Sequence, residues 1–148
     1  MASRTVLVGV DASETSANAF NFASKQCRPG DVMHVCYAYA PLMDFVGPEF
    51  SKAPTEAQHQ AWREQEEQRF QKFMESLPKP DGVKVESHIM AGDARQVLTD
   101  MASTKSADQV VVGTHGRGFL GRAIMGSVSS YLTHHSPVPV TVVPKDQK

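Results

Sequence analysis

The stretch "VVVGTHGRGFLGRAIMGSVSS", residues 110–130, carries most of the information about the fold and its use. Its three valines predict a buried strand, and five glycines, two arginines and a histidine follow before the stretch ends in hydroxyl side chains. It contains no carboxylate. A strand that runs into a positively charged, glycine-rich loop is typical of α/β proteins that hold an anionic ligand beyond the carboxyl end of a strand.

The rest of the chain alternates between strand-like and helix-like segments. Valine-rich apolar runs predict strands at residues 5–10, 31–40, 83–91, 107–113 and 138–144. Between them, the sequence predicts helices at residues 13–26, 55–77, 93–105 and 126–136. The alternation indicates an α/β fold, with a single Rossmann-like, open parallel sheet of five strands and helices on both faces.

Local signals support the helix assignments. Ser13 is predicted to cap the first helix. Capping boxes are predicted at the next two helices, from Thr55 with Gln58 and from Asp93 with Gln96. The second helix carries an apolar stripe made of Phe70, Phe73, Met74 and Leu77.

The composition restricts the class of protein. With 148 residues and a net charge of −1, the sequence predicts one globular domain, residues 1–148, with no basic field for nucleic acid. The first apolar run is too short for a signal peptide or a membrane span, so we expect a cytoplasmic protein with no membrane partner. The two cysteines, Cys27 and Cys36, do not suggest a disulfide framework.

Two common phosphate-binding motifs match the glycine loop only in part. "GRGFLG", residues 116–121, has the dinucleotide-binding spacing, but that motif also needs an acidic residue about twenty positions later. No Asp or Glu lies between Gln109 and Lys145. "GRAIMGS", residues 121–127, resembles a P-loop but lacks its lysine.

A third pattern, G-x2-G-x9-G-S, is met in full by Gly113, Gly116, Gly126 and Ser127. Together with "VGVDAS", "MHV", "AGDA" and the final "SPVPVTVVP", it closely resembles the universal stress protein family, and the resemblance covers essentially the whole chain. The resemblance implies an ATP-binding fold with strand order 3-2-1-4-5. It also implies homodimers joined through the fifth strand, residues 138–143, from Val138 to Val143.

Elementary chemistry also favours an anion at the glycine loop. Gly126 and Ser127 begin a predicted helix, where N–H groups and the helix dipole attract phosphate. Hydroxyl groups of Ser127 and Ser129 add donors, while His115 and Arg117 contribute to the positive charge of the loop. Gly113 and Gly116 would let the backbone approach a ligand without a Cβ atom in the way.

By the family resemblance, further residues join the site. Asp11 would lie near the ribose or a phosphate-bound Mg²⁺, although it could instead serve the start of the first helix. Val10 and Ala12 would line the adenine, and the backbone of Val35 would read the base edge, although a buried strand valine is the plain alternative. Gly92 would close the base side. The full set is Val10, Asp11, Ala12, Val35, Gly92, Gly113, His115, Gly116, Arg117, Gly126, Ser127, Val128 and Ser129.

Two further features lie outside the predicted site. His34 and Cys36 share one face of the second strand, but two candidate ligands on a buried strand are poor evidence, so no metal site is predicted. Residues 40–54 form an irregular segment long enough to be functional or mobile.

The sequence therefore predicts an ATP-binding stress-response regulator that binds Mg²⁺ with its nucleotide and works through nucleotide-dependent contacts with partners. The alternatives are a slow ATP hydrolase and a dimeric module that binds another nucleotide such as cyclic AMP. We expect little turnover, because the loop lacks both the P-loop lysine and an acidic residue to orient water. Pro139 is typical of an edge strand, and an apolar edge is usually covered or paired, which also favours a dimer through the fifth strand.

Overall fold

The computed structural model describes residues 2–42, 53–115 and 125–145. Within these ranges, five strands alternate with four helices. In order, the elements are β1 (Thr5–Val10), α1 (Glu14–Gln26), β2 (Val32–Tyr39), α2 (Glu56–Glu75), β3 (Lys84–Ala91), α3 (Ala94–Thr104), β4 (Gln109–Gly113), α4 (Ser127–His135) and β5 (Val140–Val143). Within the described ranges, no helix is both long enough and apolar enough to cross a membrane.

The five strands form one parallel sheet in the order β3-β2-β1-β4-β5. The fold class and the strand order predicted above are confirmed. β1 is the central strand, with Val8 in register with Val35 of β2 and with Val111 of β4. This order places the loops after β1 and β4 side by side, although about a hundred residues separate them in the sequence.

Each face of the sheet carries its own hydrophobic core. Val6 and Val8 of β1 pack with buried residues of α1 and α2, such as Phe20 and Phe70. Leu7 points to the opposite face and belongs to a cluster with residues of α3 and α4. Because successive side chains of a strand point to opposite faces, a continuous apolar run is required where helices cover both.

The helix starts agree with the sequence at two positions and differ at a third. Ser13 accepts the N–H of Ser16 at 3.1 Å, and Thr55 forms the predicted capping box with Gln58. Asp93 caps α3 by accepting the N–H of Arg95.

The capping box predicted for α3 is wrong in its second half. The side-chain amide of Gln96 donates to Asp100, one turn further along the helix, at 2.8 Å. The bond to Asp100, at i+4 on the same helix face, holds the Gln96 side chain along the helix, so its carbonyl oxygen does not accept the N–H of Asp93.

The apolar stripe of α2 is confirmed, and it includes a charged residue that the pattern did not reveal. Leu77, which lies just after the end of the helix, is buried, and so are Phe70, Phe73 and Met74 within it. So is Glu66, one turn earlier, with 1% of its surface exposed. Its carboxylate accepts a short hydrogen bond from the buried hydroxyl of Tyr37 in β2 and pairs with Arg69 at 2.8 Å. These two partners compensate for the cost of burying the charge.

Replacing Tyr37 by Phe is expected to lower the free energy of unfolding by roughly 1.5–3 kcal/mol, because it removes one hydrogen bond to a buried carboxylate. Urea denaturation measures the loss. The matched control is Tyr39→Phe, on the same strand but partly exposed, which should change stability by less than about 0.5 kcal/mol. Equal effects of the two substitutions would contradict the role given to Tyr37.

Candidate ligand-binding site

A cavity of about 370 Å³ opens at the carboxyl ends of the central strands. The chain leaves β1 toward β2 and leaves β4 toward β5, so the two connections diverge and leave a crevice between them. Open α/β sheets bind ligands at such reversal points, and the volume is within the range of small-molecule sites. The described lining residues are Gly9, Val10, Asp11, Ser16, Cys36, Ala38, Ala94, Leu98, Val112, Gly113, His115, Gly126, Ser127, Val128 and Ser129.

The β1–α1 turn presents Asp11 to the cavity. Asp11 accepts the N–H of Ser13 at 3.0 Å, so its carboxylate also helps to shape the start of α1. Ala12 adopts a φ of 67°, in the left-handed region that non-glycine residues rarely occupy. Strained backbone of this kind persists where the surrounding structure enforces it and is common at functional sites.

Gly113 ends β4 at a point of very close packing. A Cβ atom built on Gly113 would lie 2.5 Å from Cγ2 of Thr15 and 3.1 Å from its backbone oxygen. Glycine is therefore required at position 113 for α1 to approach the end of β4. From the sequence, Gly113 was expected to let the backbone approach a ligand. The structure shows that it also allows close packing against Thr15 at the wall of the cavity.

The start of α4 forms the opposite wall. Gly126 donates its N–H to the carbonyl of Thr114, and a Cβ atom at Gly126 would lie 3.0 Å from Cα of His115. The N–H groups of the next three residues, 127–129, have no acceptor within their own helix. Gly126 has no side chain that could cap them. With the helix dipole, they make this wall favourable for a negative charge.

The two serines of this first turn differ in their surroundings. Ser127 is exposed. Ser129 is 1% exposed, and its hydroxyl lies 2.7 Å from the carbonyl of Thr114, to which it donates. The single hydroxyl proton of Ser129 thus ties α4 to β4, and Ser127 is the serine whose hydroxyl can donate to a ligand.

The structure brings most of the predicted residues to one place. Those that line the cavity are Val10, Asp11, Gly113, His115, Gly126, Ser127, Val128 and Ser129. Gly116 and Arg117 lie outside the described residues. Ala12 and Gly92 are not among the described lining residues. Gly92 has a φ of +150°, which favours glycine, and its N–H donates to Tyr39 at 2.9 Å.

Val35 is also not among the described lining residues of the cavity, and the expectation that its backbone reads the base edge stays a prediction. Its side chain is fully buried, and its register partners are Val8 on one side and Ser87 on the other. Both edges of its backbone therefore face neighbouring strands. The part of β2 that borders the cavity is its carboxyl half, at Cys36 and Ala38.

Sequence reasoning missed the apolar floor of the cavity. Cys36 and Ala38 of β2 and Leu98 of α3 contribute to it. Burial raises the pKa of Cys36 to about 12, so its thiol is neutral and packs as a small apolar group. Strand alternation from His34 could have placed Cys36 and Ala38 on this face, but only tertiary packing brings Leu98 beside them.

Comparisons with known proteins agree on one family. A sequence model described as the universal stress protein family matches residues 2–144. A universal stress protein of Mycolicibacterium smegmatis is 34% identical over 149 residues, which cover 97% of this chain and 49% of that protein. The chain thus spans about half the length of that relative.

Two solved structures share the fold. A universal stress protein in complex with cAMP aligns with a TM-score of 0.61 at 22% identity, covering 99% of this chain and 100% of that one. A universal stress protein family protein from Arabidopsis thaliana, with AMP bound, aligns with a TM-score of 0.57 at 19% identity, covering 95% and 91%.

Gly113→Ala is expected to destabilise the fold by roughly 1–3 kcal/mol, because the new methyl group overlaps Thr15. Chemical denaturation of the protein without ligand measures this loss. Thr15→Ser removes the nearest atom, so Gly113→Ala should cost less in that background, and a double-mutant cycle gives the coupling. Additive effects would show that the close approach of α1 is not what requires glycine.

Proposed function

The chain belongs to the universal stress protein family, and from that premise we propose that it is an ATP-binding regulatory protein of the stress response. It holds the nucleotide in the cavity at the carboxyl ends of β1 and β4 and changes its contacts with partner proteins according to nucleotide state. The single observation that carries the proposal is the joining, in one cavity, of an apolar floor with the first turn of α4.

The two ends of the cavity suit the two ends of an adenine nucleotide. The neutral Cys36 with Ala38 and Leu98 offers apolar surface to a base. The start of α4 offers N–H groups, the Ser127 hydroxyl and a positive dipole to phosphate. Hydrogen bonds to charged groups contribute roughly 1.5–3 kcal/mol each, so a few of them are sufficient for micromolar affinity.

The likeness to structures with cAMP and AMP supports an adenine nucleotide as the class of ligand. ATP is our choice within that class because the complete G-x2-G-x9-G-S spacing provides a loop after β4 as well as the helix start. Mg²⁺ would enter with the phosphates. Asp11, a carboxylate on the cavity wall, is the hard oxygen ligand that this ion prefers.

Binding with little hydrolysis fits the described part of the site. Its lining residues include one carboxylate, Asp11, and neither lysine nor arginine. Efficient phosphoryl transfer needs a preorganised cation on the transferred phosphate and a group that orients the attacking oxygen. We therefore propose regulation by occupancy rather than by catalysis.

Mg-ATP is expected to raise the melting temperature of nucleotide-free protein. At a ligand concentration a hundred times the dissociation constant, binding adds about 2.7 kcal/mol to the free energy of unfolding. The most informative variant is Ser127→Asp. The helix dipole stabilises a carboxylate in the first turn of α4, so the unliganded variant should remain folded. The same carboxylate repels phosphate, so Mg-ATP should no longer raise the melting temperature.

Ala57→Asp is the control, because it puts the same charge in the first turn of α2, away from the cavity, and should keep the full shift. Differential scanning fluorimetry with Mg-ATP, Mg-AMP and cAMP compares the ligands. Equal rises in melting temperature for Ser127→Asp and Ala57→Asp would show that the phosphate binds elsewhere. A larger rise in melting temperature with cAMP than with Mg-ATP would show that the cyclic nucleotide, not ATP, is the preferred ligand. Identification of any nucleotide released on denaturation complements this assay.

We also propose that β5 pairs with its copy in a homodimer. The carbonyls of Pro139 and Val143 accept N–H groups from the β4 side, of Val110 and Thr114. In a parallel pair the backbone groups alternate in direction, so those of Val140 and Val142 point away from β4, toward the free edge. An exposed row of donors and acceptors on an apolar strand is a template for a second strand.

Changing Val142 to Glu is expected to convert the dimer to a monomer, because it would bury an unpaired charge in the interface. Light scattering after size exclusion measures the mass. Val142→Thr, which keeps the branched shape without charge, is the control and should remain dimeric. A melting curve establishes that the Glu variant is folded. A folded Glu variant with the mass of a dimer would point to another interface.

A further inference from the structure

Three side chains with metal-binding atoms converge on the sheet face beside α3. The register of β2 and β3 puts His34 opposite Glu86, and His88 follows two residues later on the same face of β3. Nδ1 of His34 lies 2.9 Å from Nε2 of His88 and 3.3 Å from Oε2 of Glu86. All three ligand atoms lie within 4.8 Å of one another. None of the three residues is among the described residues of the nucleotide cavity.

These separations are close to those of a tetrahedral metal site. Zinc bonds to imidazole nitrogen and carboxylate oxygen are about 2.0–2.2 Å long, which puts neighbouring tetrahedral ligands roughly 3.3–3.5 Å apart. The pairs His34–His88 and His34–Glu86 already lie near this separation, and Glu86 and His88 are within 4.8 Å of each other, so adjustment of the two partly exposed side chains would admit an ion. Two histidines and one carboxylate also form a donor set used by zinc sites that keep a fourth position open.

We propose that His34, Glu86 and His88 bind a divalent transition-metal ion of the zinc type, with solvent in the fourth position. His34 is buried and fixed in the sheet, whereas Glu86 and His88 are partly exposed on the edge strand β3 and give the ion access. Imidazole nitrogen with carboxylate oxygen favours Zn²⁺ and Co²⁺ over Mg²⁺ or Ca²⁺, which prefer oxygen ligands alone.

Burial lowers the pKa of both histidines, and the charge of Lys105 adds to the same effect. Glu86 acts in the opposite direction on both. Metal binds to the neutral imidazole, and the hydrogen bond between Nδ1 of His34 and Nε2 of His88 lies where the ion would bind.

Two lysines set the strength of the site in different ways. Nζ of Lys84 lies 2.9 Å from Oε1 of Glu86, while the other carboxylate oxygen, Oε2, faces His34. Lys84 therefore positions the carboxylate. Lys105 acts on both histidines through its charge and would repel a cation. The expected affinity is therefore weaker than that of closed structural zinc sites, and it should increase when Lys105 is neutralised.

The test uses the full chain without a polyhistidine tag, treated with a chelator and titrated with Co²⁺. Tetrahedral Co²⁺ gives a visible absorption band that reports the ligand geometry, and displacement by Zn²⁺ yields its affinity. We expect one Co²⁺ per chain. Changing a residue that only supports a metal ligand lowers metal affinity roughly 10–100-fold, and loss of a ligand itself should lower it further. His88→Gln should therefore abolish the absorption band at the same Co²⁺ concentration.

Matched variants separate this site from surface binding. His134→Gln removes an exposed histidine at the end of α4 and should leave the titration unchanged. Lys105→Gln should tighten binding about threefold or more, because a like charge is removed. Far-ultraviolet circular dichroism establishes that each variant is folded. Absence of a tetrahedral band in the original protein up to millimolar Co²⁺, or an unchanged titration in folded His88→Gln, would overturn the proposal.

Discussion

The position of β1 at the centre of the sheet is the constraint on which the site depends. Parallel pairing with β2 on one side and β4 on the other forces the chain to leave these two strands in opposite directions. The crevice between the diverging connections is a consequence of this topology. What the sequence adds is chemistry: apolar residues on the floor and the start of α4 on one wall.

Close backbone packing keeps this crevice in shape. Gly113 admits Thr15 at the start of α1, and Gly126 admits the backbone around His115. Ser129 then ties α4 to the end of β4 through its buried hydroxyl. Glycines of the family pattern that lie within the described residues thus position the walls against each other, and the N–H groups of residues 127–129 are aimed by that packing rather than by contact with a ligand.

Strand runs and helix caps predicted the α/β class from local signals, whereas the strand order came from the family resemblance, and the structure confirms both. The glycine spacing and the helix start are also local signals, and the structure places Gly126 and Ser127 at the start of α4 beside the cavity. Sequence reasoning failed where register decides. The approach of Glu86 and His88 to His34 depends on how β3 pairs with β2. The burial of Glu66 in α2 likewise depends on a partner from another element, Tyr37 of β2.

The central claim, that the cavity at the ends of β1 and β4 holds an adenine nucleotide, is tested most directly by amide chemical shifts. A titration of ¹⁵N-labelled protein with Mg-ATP should move the resonances of Asp11, Gly113 and residues 127–129 together, with one saturation curve. Resonances of the groove between α2 and β3, which includes Phe70 and Val85, should stay in place. Saturable changes confined to that groove, or none at millimolar Mg-ATP, would contradict the claim.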